Sequence, residues 1–166
     1  MRYVKTLAFI AAADLFSLFF GFSLAALPYL PIKIASAVCT ALILVCLLAS
    51  LALKTADEDL KAQRLSGKKS GLASPLEMAV TSSAPSLISW VVLFYSVGSG
   101  FDFYRWHKLI NGWFLQVFNF INSDATSAAL TTGQILLMLP LALAPAIIFM
   151  TAYLLRFKGI ISDEKK

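Results

Sequence analysis

Asp14 is the residue of this sequence whose chemistry stands out most clearly from its surroundings. It lies within residues 6–27, a mostly apolar run that is long enough to cross a membrane as a helix. Insertion scales place an aspartate at the centre of such a helix at a cost of about 2.5 to 3.5 kcal/mol, so its presence needs a partner or a purpose. The purpose would be proton-linked transport, because a carboxyl group can bind and release a proton. The alternative is a structural role, in which Asp14 faces other helices, takes up a proton and hydrogen-bonds to a neighbouring hydroxyl, or in which Lys5 bends back toward it.

Serine hydroxyls and helix-interrupting prolines occur at a similar depth in two other apolar runs. The hydroxyls form a stripe on one face of residues 75–98, which consists of Ser82, Ser86 and Ser89. The prolines that lie inside predicted helices are Pro85, Pro140 and Pro145. Each such proline leaves a carbonyl group without its N–H donor and bends the helix. We therefore predict helix kinks at the prolines and a polar midplane site, in which Asp14 faces Ser82 or Ser86.

Small residues recur every four positions along the first apolar run. The stripe consists of Ala13, Ser17, Gly21 and Ala25. Small side chains allow another helix to approach closely, and in lipid this close packing is a main source of helix association. The stripe therefore predicts a helix contact, either with the second or fourth apolar run of the same chain or with a partner chain.

Residues 103–122 alternate between aromatic and polar side chains at helical spacing, which predicts an amphipathic helix. Because its apolar core is too short for a crossing, we expect it to lie along the membrane surface. Its predicted anchors at the level of the lipid headgroups are Trp106, His107 and Trp113. Its polar side chains, predicted to face water, are Arg105, Lys108, Gln116 and Asn119. Its side chains predicted to face lipid or the bundle are Trp113, Phe114 and Phe118.

His107 and Asp102 could form an acid–base pair, although no nucleophile accompanies them in the sequence.

The composition is that of a membrane protein. The 166 residues are 59% hydrophobic and 14% charged, against roughly 45–50% and 25% in average soluble chains. The mean hydropathy of +0.79 leaves too little polar surface for a soluble fold and excludes a disordered chain. The net charge of +5 comes from short basic clusters beside apolar runs, which argues against a nucleic-acid-binding patch. One histidine and two cysteines are too few for a zinc finger or an iron–sulfur cluster, so we expect no metal and no cofactor.

We predict an all-α integral membrane protein of one domain, with four transmembrane helices and the interfacial helix between the third and fourth. The predicted spans are residues 6–27, 34–53, 75–98 and 132–155. Residues 54–74 are the predicted cytoplasmic loop, which begins as a charged helical extension of the second span. The first run could instead be a cleaved signal peptide, but it is longer than the usual signal and contains Asp14.

The distribution of lysine and arginine predicts the orientation. With four spans, eleven of the fourteen basic residues fall in the two termini and the loop after the second span, and three fall on the other side. Since cytoplasmic loops carry the excess of Lys and Arg, both termini are expected in the cytoplasm. The sequence carries no eukaryotic targeting or lipidation motif, so the expected location is a bacterial inner membrane.

The sequence supports three functional hypotheses of different classes. The small-residue stripe, the aromatic segment and the charged extension are all contact surfaces, which favours a small non-enzymatic subunit or accessory component of a membrane assembly. Its expected partners are the lipid bilayer and either further copies of the chain or another membrane protein, and not nucleic acid. The second hypothesis is a proton-linked transporter or channel subunit centred on Asp14. The third is a lipid-acting enzyme at the outer surface that uses His107 and Asp102.

Overall fold

The described part of the protein folds into helices. A computed structural model describes residues 2–25, 29–67 and 73–159. Its α-helices are α1 (Arg2–Ala25), α2 (Leu30–Ser66), α3 (Ala73–Ser99), α4 (Tyr104–Ile110), α5 (Leu115–Ile121) and α6 (Thr132–Phe157). Two short 3₁₀ helices, Gly112–Phe114 and Ser127–Ala129, lie between α4 and α5 and between α5 and α6. The predicted all-α class is confirmed.

Four of the described helices, α1, α2, α3 and α6, are long and apolar enough to cross a membrane, as predicted. Both α1 and α2 begin four residues before the predicted spans. The helix α2 begins at Leu30 with Pro31 in its first turn, where proline is favoured. Its 37 residues span roughly 55 Å, while a hydrocarbon core is about 30 Å thick. The charged extension therefore continues the second span as a helix up to Ser66. The predicted end of the first span at residue 27 lies outside the described residues.

The beginning of α1 and the ends of α2 and α6 are held together by charged and polar side chains. Arg2 in α1 donates a hydrogen bond of 2.8 Å to Asp59 in α2 and lies 3.6 Å from Glu58. The hydroxyl group of Tyr153 in α6 donates a hydrogen bond of 3.0 Å to Asp59 Oδ2. One turn away, Arg156 pairs with Asp57 at 2.7 Å. The acidic residues of the extension therefore bind the neighbouring helices, and we call this end of the bundle the ion-pair end and the opposite end the distal end.

The pair α3 and α6 contains the predicted helix-internal prolines, and a serine of α3 contacts the backbone of α6 beside one of them. Pro140 and Pro145 lie inside α6, and Pro85 lies inside α3. Proline removes one donor from the helical hydrogen-bond ladder and crowds the turn before it. Beside Pro145, the hydroxyl of Ser83 accepts a hydrogen bond of 2.8 Å from the backbone N–H of Ala146. The third span therefore supplies polar contacts at a point where the ladder of α6 is interrupted.

The small-residue stripe of α1 packs against the chain itself. Ala13 and Ser17 are fully buried, and Gly21 is buried as well. The Ser17 hydroxyl donates to the carbonyl oxygen of Thr40 in α2 at 3.4 Å. The side chain of Ala25 lies outside the described residues. Within the described residues, the stripe thus contacts the second helix of the same chain, which is one of the contacts that its spacing predicts.

Candidate functional site

The chain between α3 and α6 does not form the single surface helix that its pattern predicts. It forms the two short helices α4 and α5, with Asn111 and the 3₁₀ helix Gly112–Phe114 between them. We call residues 104–121 the inserted segment, because many of their side chains are buried among the long helices. The break changes the helical register between the two halves. The polar side chains of the two halves therefore form no single stripe facing water: Lys108 and Gln116 are buried, whereas Arg105 is exposed.

The burial of the inserted segment corrects several predicted side-chain positions. Trp113 is fully buried and His107 is 1% exposed, so neither side chain is exposed to lipid headgroups as we expected of anchors. The burial of Trp113, Phe114 and Phe118 agrees with the prediction that these three face lipid or the bundle. Lys108 and Gln116 are buried too, although we expected both to face water. Trp106 is 58% exposed, which agrees with a position at the periphery. The segment thus contributes mainly to the interior of the bundle, since most of its aromatic rings find apolar surface there.

The inserted segment reaches about halfway into the bundle from the distal end. Hydrogen bonds join it to Asp14 in α1, Thr40 in α2 and Ser89 in α3. Each of these residues lies ten or eleven positions from the distal end of its helix, which corresponds to roughly 15 Å at 1.5 Å per residue. Three long helices therefore bind the segment at one common depth.

Asp14 binds the backbone of the inserted segment. Its Oδ1 atom accepts a hydrogen bond of 2.6 Å from the backbone N–H of Gly112. The expectation that Asp14 faces Ser82 or Ser86 is therefore wrong, because its partner is a main-chain group that folds in from the loop side. A hydrogen bond from a backbone N–H to a carboxylate is about twice as strong as one between neutral groups. Asp14 is thus positioned to hold the turn of the inserted segment against α1.

Residue 112 has to be glycine at this contact. A Cβ atom there would lie 2.5 Å from Leu18 Cγ and 2.9 Å from Asp14 Oδ1, both closer than van der Waals contact permits. Only a residue without a side chain allows the backbone to approach α1 closely enough for its N–H to reach the carboxylate. The hydrogen bond and the close approach therefore depend on each other.

Thr40 makes the corresponding contact from α2. Its hydroxyl lies 2.9 Å from the carbonyl oxygen of Trp113 and 3.0 Å from that of Ser36, one turn earlier in its own helix. The carbonyl oxygen of Ala37 lies 3.2 Å away as well, and since a threonine hydroxyl carries a single proton, these three carbonyl groups share one donor. Gly112 and Trp113 are adjacent in the chain. The helix α1 thus binds the N–H of Gly112, and α2 binds the C=O of Trp113.

Ser89 makes the third contact, with the ring of His107. Its hydroxyl lies 2.8 Å from His107 Nδ1. Burial lowers the pKa of His107 to about 4, and the hydrogen bond with Ser89 opposes this shift only in part. The imidazole is therefore neutral near pH 7. Of the predicted serine stripe, Ser89 contacts the inserted segment, whereas the Ser82 hydroxyl donates to the carbonyl of Ala79 in its own helix at 2.7 Å.

Asp102 has a different partner from His107. Its Oδ1 atom accepts a hydrogen bond of 2.8 Å from the backbone N–H of Ser127, which holds the pKa of Asp102 below its usual value. The Ser127 hydroxyl in turn accepts from the backbone N–H groups of Phe103 and Tyr104 at 2.9 and 3.0 Å. These contacts tie the entry of the inserted segment to the chain that leaves it. Since His107 and Asp102 each bind another residue, the geometry lends no support to an acid–base pair.

Lys108 closes the inserted segment on itself. Its ammonium group donates to three oxygen atoms: Asn119 Oδ1 at 2.9 Å, the Asn122 carbonyl at 3.0 Å and the Asp124 carbonyl at 2.8 Å. It also lies 4.2 Å from the centre of the Tyr104 ring, within the range of a cation–π interaction. Burial lowers the pKa of Lys108, and Asp124 opposes this effect. An ammonium group has three donors, so all of them are used.

Several buried polar atoms around the inserted segment make no hydrogen bond within the described residues. They are Ser36 Oγ, Ser86 Oγ, His107 Nε2 and Trp113 Nε1. Leaving such a group unpaired in a protein interior costs roughly 1–3 kcal/mol. The interior near the three contacts therefore combines a carboxylate, an imidazole and hydroxyls with unused hydrogen-bonding capacity.

Sequence reasoning singled out Asp14, Ser89 and His107 but did not predict the contacts that they make, and it missed Gly112 and Thr40. Thr40 carries no motif that would have singled it out, whereas Gly112 does carry a signal. One available signal was the glycine itself, since an isolated glycine in an otherwise helical pattern often marks a close approach of backbone. Another was Asn111 before it, because an asparagine–glycine pair favours a turn over a continuous helix.

Fold and site together define the class of an all-α, multi-pass membrane protein whose loop between the third and fourth spans folds back into the bundle. Comparison of the chain with protein-family models, with curated proteins and with solved structures found no match.

Proposed function

We propose that the chain is a small non-enzymatic subunit or accessory component of a membrane assembly. The observation that carries this proposal is the hydrogen bond from the backbone N–H of Gly112 to Asp14, because it fixes the chain's own inserted segment. The costly carboxylate has a structural partner, and the segment that it holds fills the interior. Phe101 and Trp106 remain exposed at the distal end and offer a fixed aromatic surface to a partner.

The test of this proposal is the mass of the purified particle, combined with the variant Asp14→Asn. After extraction in a mild detergent, we expect a protein mass well above the 18.1 kDa of one chain. Asparagine keeps an acceptor oxygen for Gly112 but cannot titrate, so Asp14→Asn should retain both this mass and the ability to complement a deletion strain. A lone monomer under every gentle condition would contradict the assembly role.

A proton-linked transporter or channel subunit centred on Asp14 is the second candidate. Among the described residues, buried atoms without hydrogen-bond partners occur in and around the segment that Asp14 binds, and unused donors and acceptors of this kind suit a proton relay. The same variant separates the candidates. An Asp14→Asn protein that assembles normally but fails to complement would favour proton linkage over the structural role.

We also propose that the chain lies in a bacterial inner membrane with both termini and the ion-pair end in the cytoplasm. The support is the concentration of eleven of fourteen basic residues on that side. In a background without Cys39 and Cys46, the variant Ser70→Cys should resist an impermeant maleimide in intact cells and react after lysis. Ser123→Cys, on the opposite side, should react in intact cells. Labelling of Ser70→Cys from outside would overturn this orientation.

A further inference from the structure

A crevice with a volume of about 230 Å³ opens between α1 and α2 at the ion-pair end. Lys5 of α1 and Lys54 of α2 line it, together with Arg2 and Glu58. Its apolar wall is formed by Phe9, Leu51 and Met78. The crevice thus has a basic part and an apolar part, and this division suits a ligand with an anionic head and a hydrocarbon tail.

Lys5 and Lys54 carry the positive charge in the crevice that has no ion-pair partner among the described residues. The Arg2 guanidinium faces two carboxylates, those of Asp59 and Glu58. Within the residues that the structure describes, the ammonium groups of Lys5 and Lys54 have neither a hydrogen bond nor an ion pair. Both side chains belong to exposed residues. With three basic side chains and two carboxylates, the crevice carries a net charge of about +1, and this excess lies at Lys5 and Lys54, where an anion would meet two ammonium groups.

The position of the lysines along their helices matches the boundary of a membrane. Lys5 directly precedes the apolar run of α1, and Lys54 directly follows that of α2. Because α1 and α2 run in opposite directions, these two boundaries lie at the same end of the bundle. The lysines are thus at headgroup level, while Leu51 and Phe9 lie about one turn deeper, at the start of the hydrocarbon region.

We propose that this crevice binds an anionic phospholipid, whose phosphate lies between Lys5 and Lys54. One acyl chain of that lipid lies against Phe9, Leu51 and Met78. Basic pockets between transmembrane helices are known to bind anionic headgroups in this way. A free phosphate ion would gain the charge contacts but not the burial of hydrocarbon, so a lipid fits the lining better. This site is separate from the inserted segment and does not depend on the proposed function.

The experiment measures lipids that remain bound to the purified chain. Wild-type protein is reconstituted into vesicles of equal parts phosphatidylglycerol and phosphatidylcholine, extracted in mild detergent and analysed by native mass spectrometry. We expect bound phosphatidylglycerol in excess of phosphatidylcholine. In the double variant Lys5→Gln and Lys54→Gln this retention should fall by roughly tenfold or more, since each lysine near the surface contributes on the order of 1 kcal/mol.

The matched control is the double variant Lys61→Gln and Arg64→Gln. It removes the same two charges from exposed positions further along α2, outside the crevice, and should retain phosphatidylglycerol nearly as the wild type does. Equal losses in both double variants would overturn the proposal, because they would indicate general surface attraction. Equal retention of the two lipids by the wild type would overturn it as well. Displacement of the lipid by millimolar inorganic phosphate would show a site for simple anions and would likewise contradict a lipid site.

Discussion

Replacing Gly112 with alanine is expected to lower the free energy of unfolding by about 3 kcal/mol, through one added methyl group. The new Cβ would lie 2.5 and 2.6 Å from Leu18 Cγ and Cδ2 and 2.9 Å from Asp14 Oδ1. Overpacking of this kind costs typically about 1–3 kcal/mol. The displaced turn would also lose the hydrogen bond from its N–H to Asp14, which leaves a buried donor unpaired.

The measurement is thermal or denaturant unfolding in detergent, with hydrogen exchange at residues 104–121 as a local readout. Gly98→Ala is the matched control, because a Cβ at that position would meet nothing within 4 Å. Adding Leu18→Ala to Gly112→Ala should recover part of the lost stability by removing the clashing side chain. Wild-type stability and exchange in Gly112→Ala would show that the close approach between the inserted segment and α1 does not exist.

Replacing Lys108 with methionine should cost about 3 kcal/mol and loosen the inserted segment. Methionine has a similar length and fills the space, but it donates no hydrogen bond. The carbonyl groups of Asn122 and Asp124 would lose their contacts with the ammonium group, which lie at 3.0 and 2.8 Å. Hydrogen bonds to charged groups contribute roughly 1.5–3 kcal/mol each. Part of this loss is offset because the variant no longer has to bury an ammonium group.

Hydrogen exchange and unfolding distinguish the outcomes for Lys108. Lys61→Met removes an exposed lysine of α2 and is expected to leave both measurements near wild type. In Lys108→Met, faster exchange should be concentrated in residues 104–124, which the ammonium group ties together. A more stable Lys108→Met protein would indicate that the cost of burying the charge exceeds the value of its hydrogen bonds, contrary to the expectation.

The four long helices could be predicted from the sequence because each satisfies its own backbone hydrogen bonds. A run of about twenty apolar residues can form a helix in lipid without help from any other part of the chain. Prolines inside α3 and α6 and the helical extension of α2 up to Ser66 were predictable for the same local reason. The cost of a carboxylate in an apolar run likewise singled out Asp14 before any partner was known.

The structure of residues 103–122 was harder to predict, because their pattern is compatible with two different structures. Aromatic and polar residues at helical spacing suit a helix on the membrane surface, and the same residues suit a broken helix inside a bundle. The choice depends on whether buried polar groups find partners. Lys108, for example, can be buried only because Asn119, Asn122 and Asp124 turn their oxygens toward it.

The sequence by itself determined the membrane class, the number of long apolar helices and the need of Asp14 for a partner, because these follow from local composition and from the cost of burying charge. Only the tertiary structure decided what that partner is. The contact between Asp14 and the Gly112 N–H joins residues 98 positions apart, and a backbone donor leaves no mark in the side-chain pattern. Thr40 and Ser89 bind the inserted segment at the same depth, and this too depends on residues that are far apart in the sequence. A polar loop can enter an apolar bundle only where several helices supply hydrogen bonds at once.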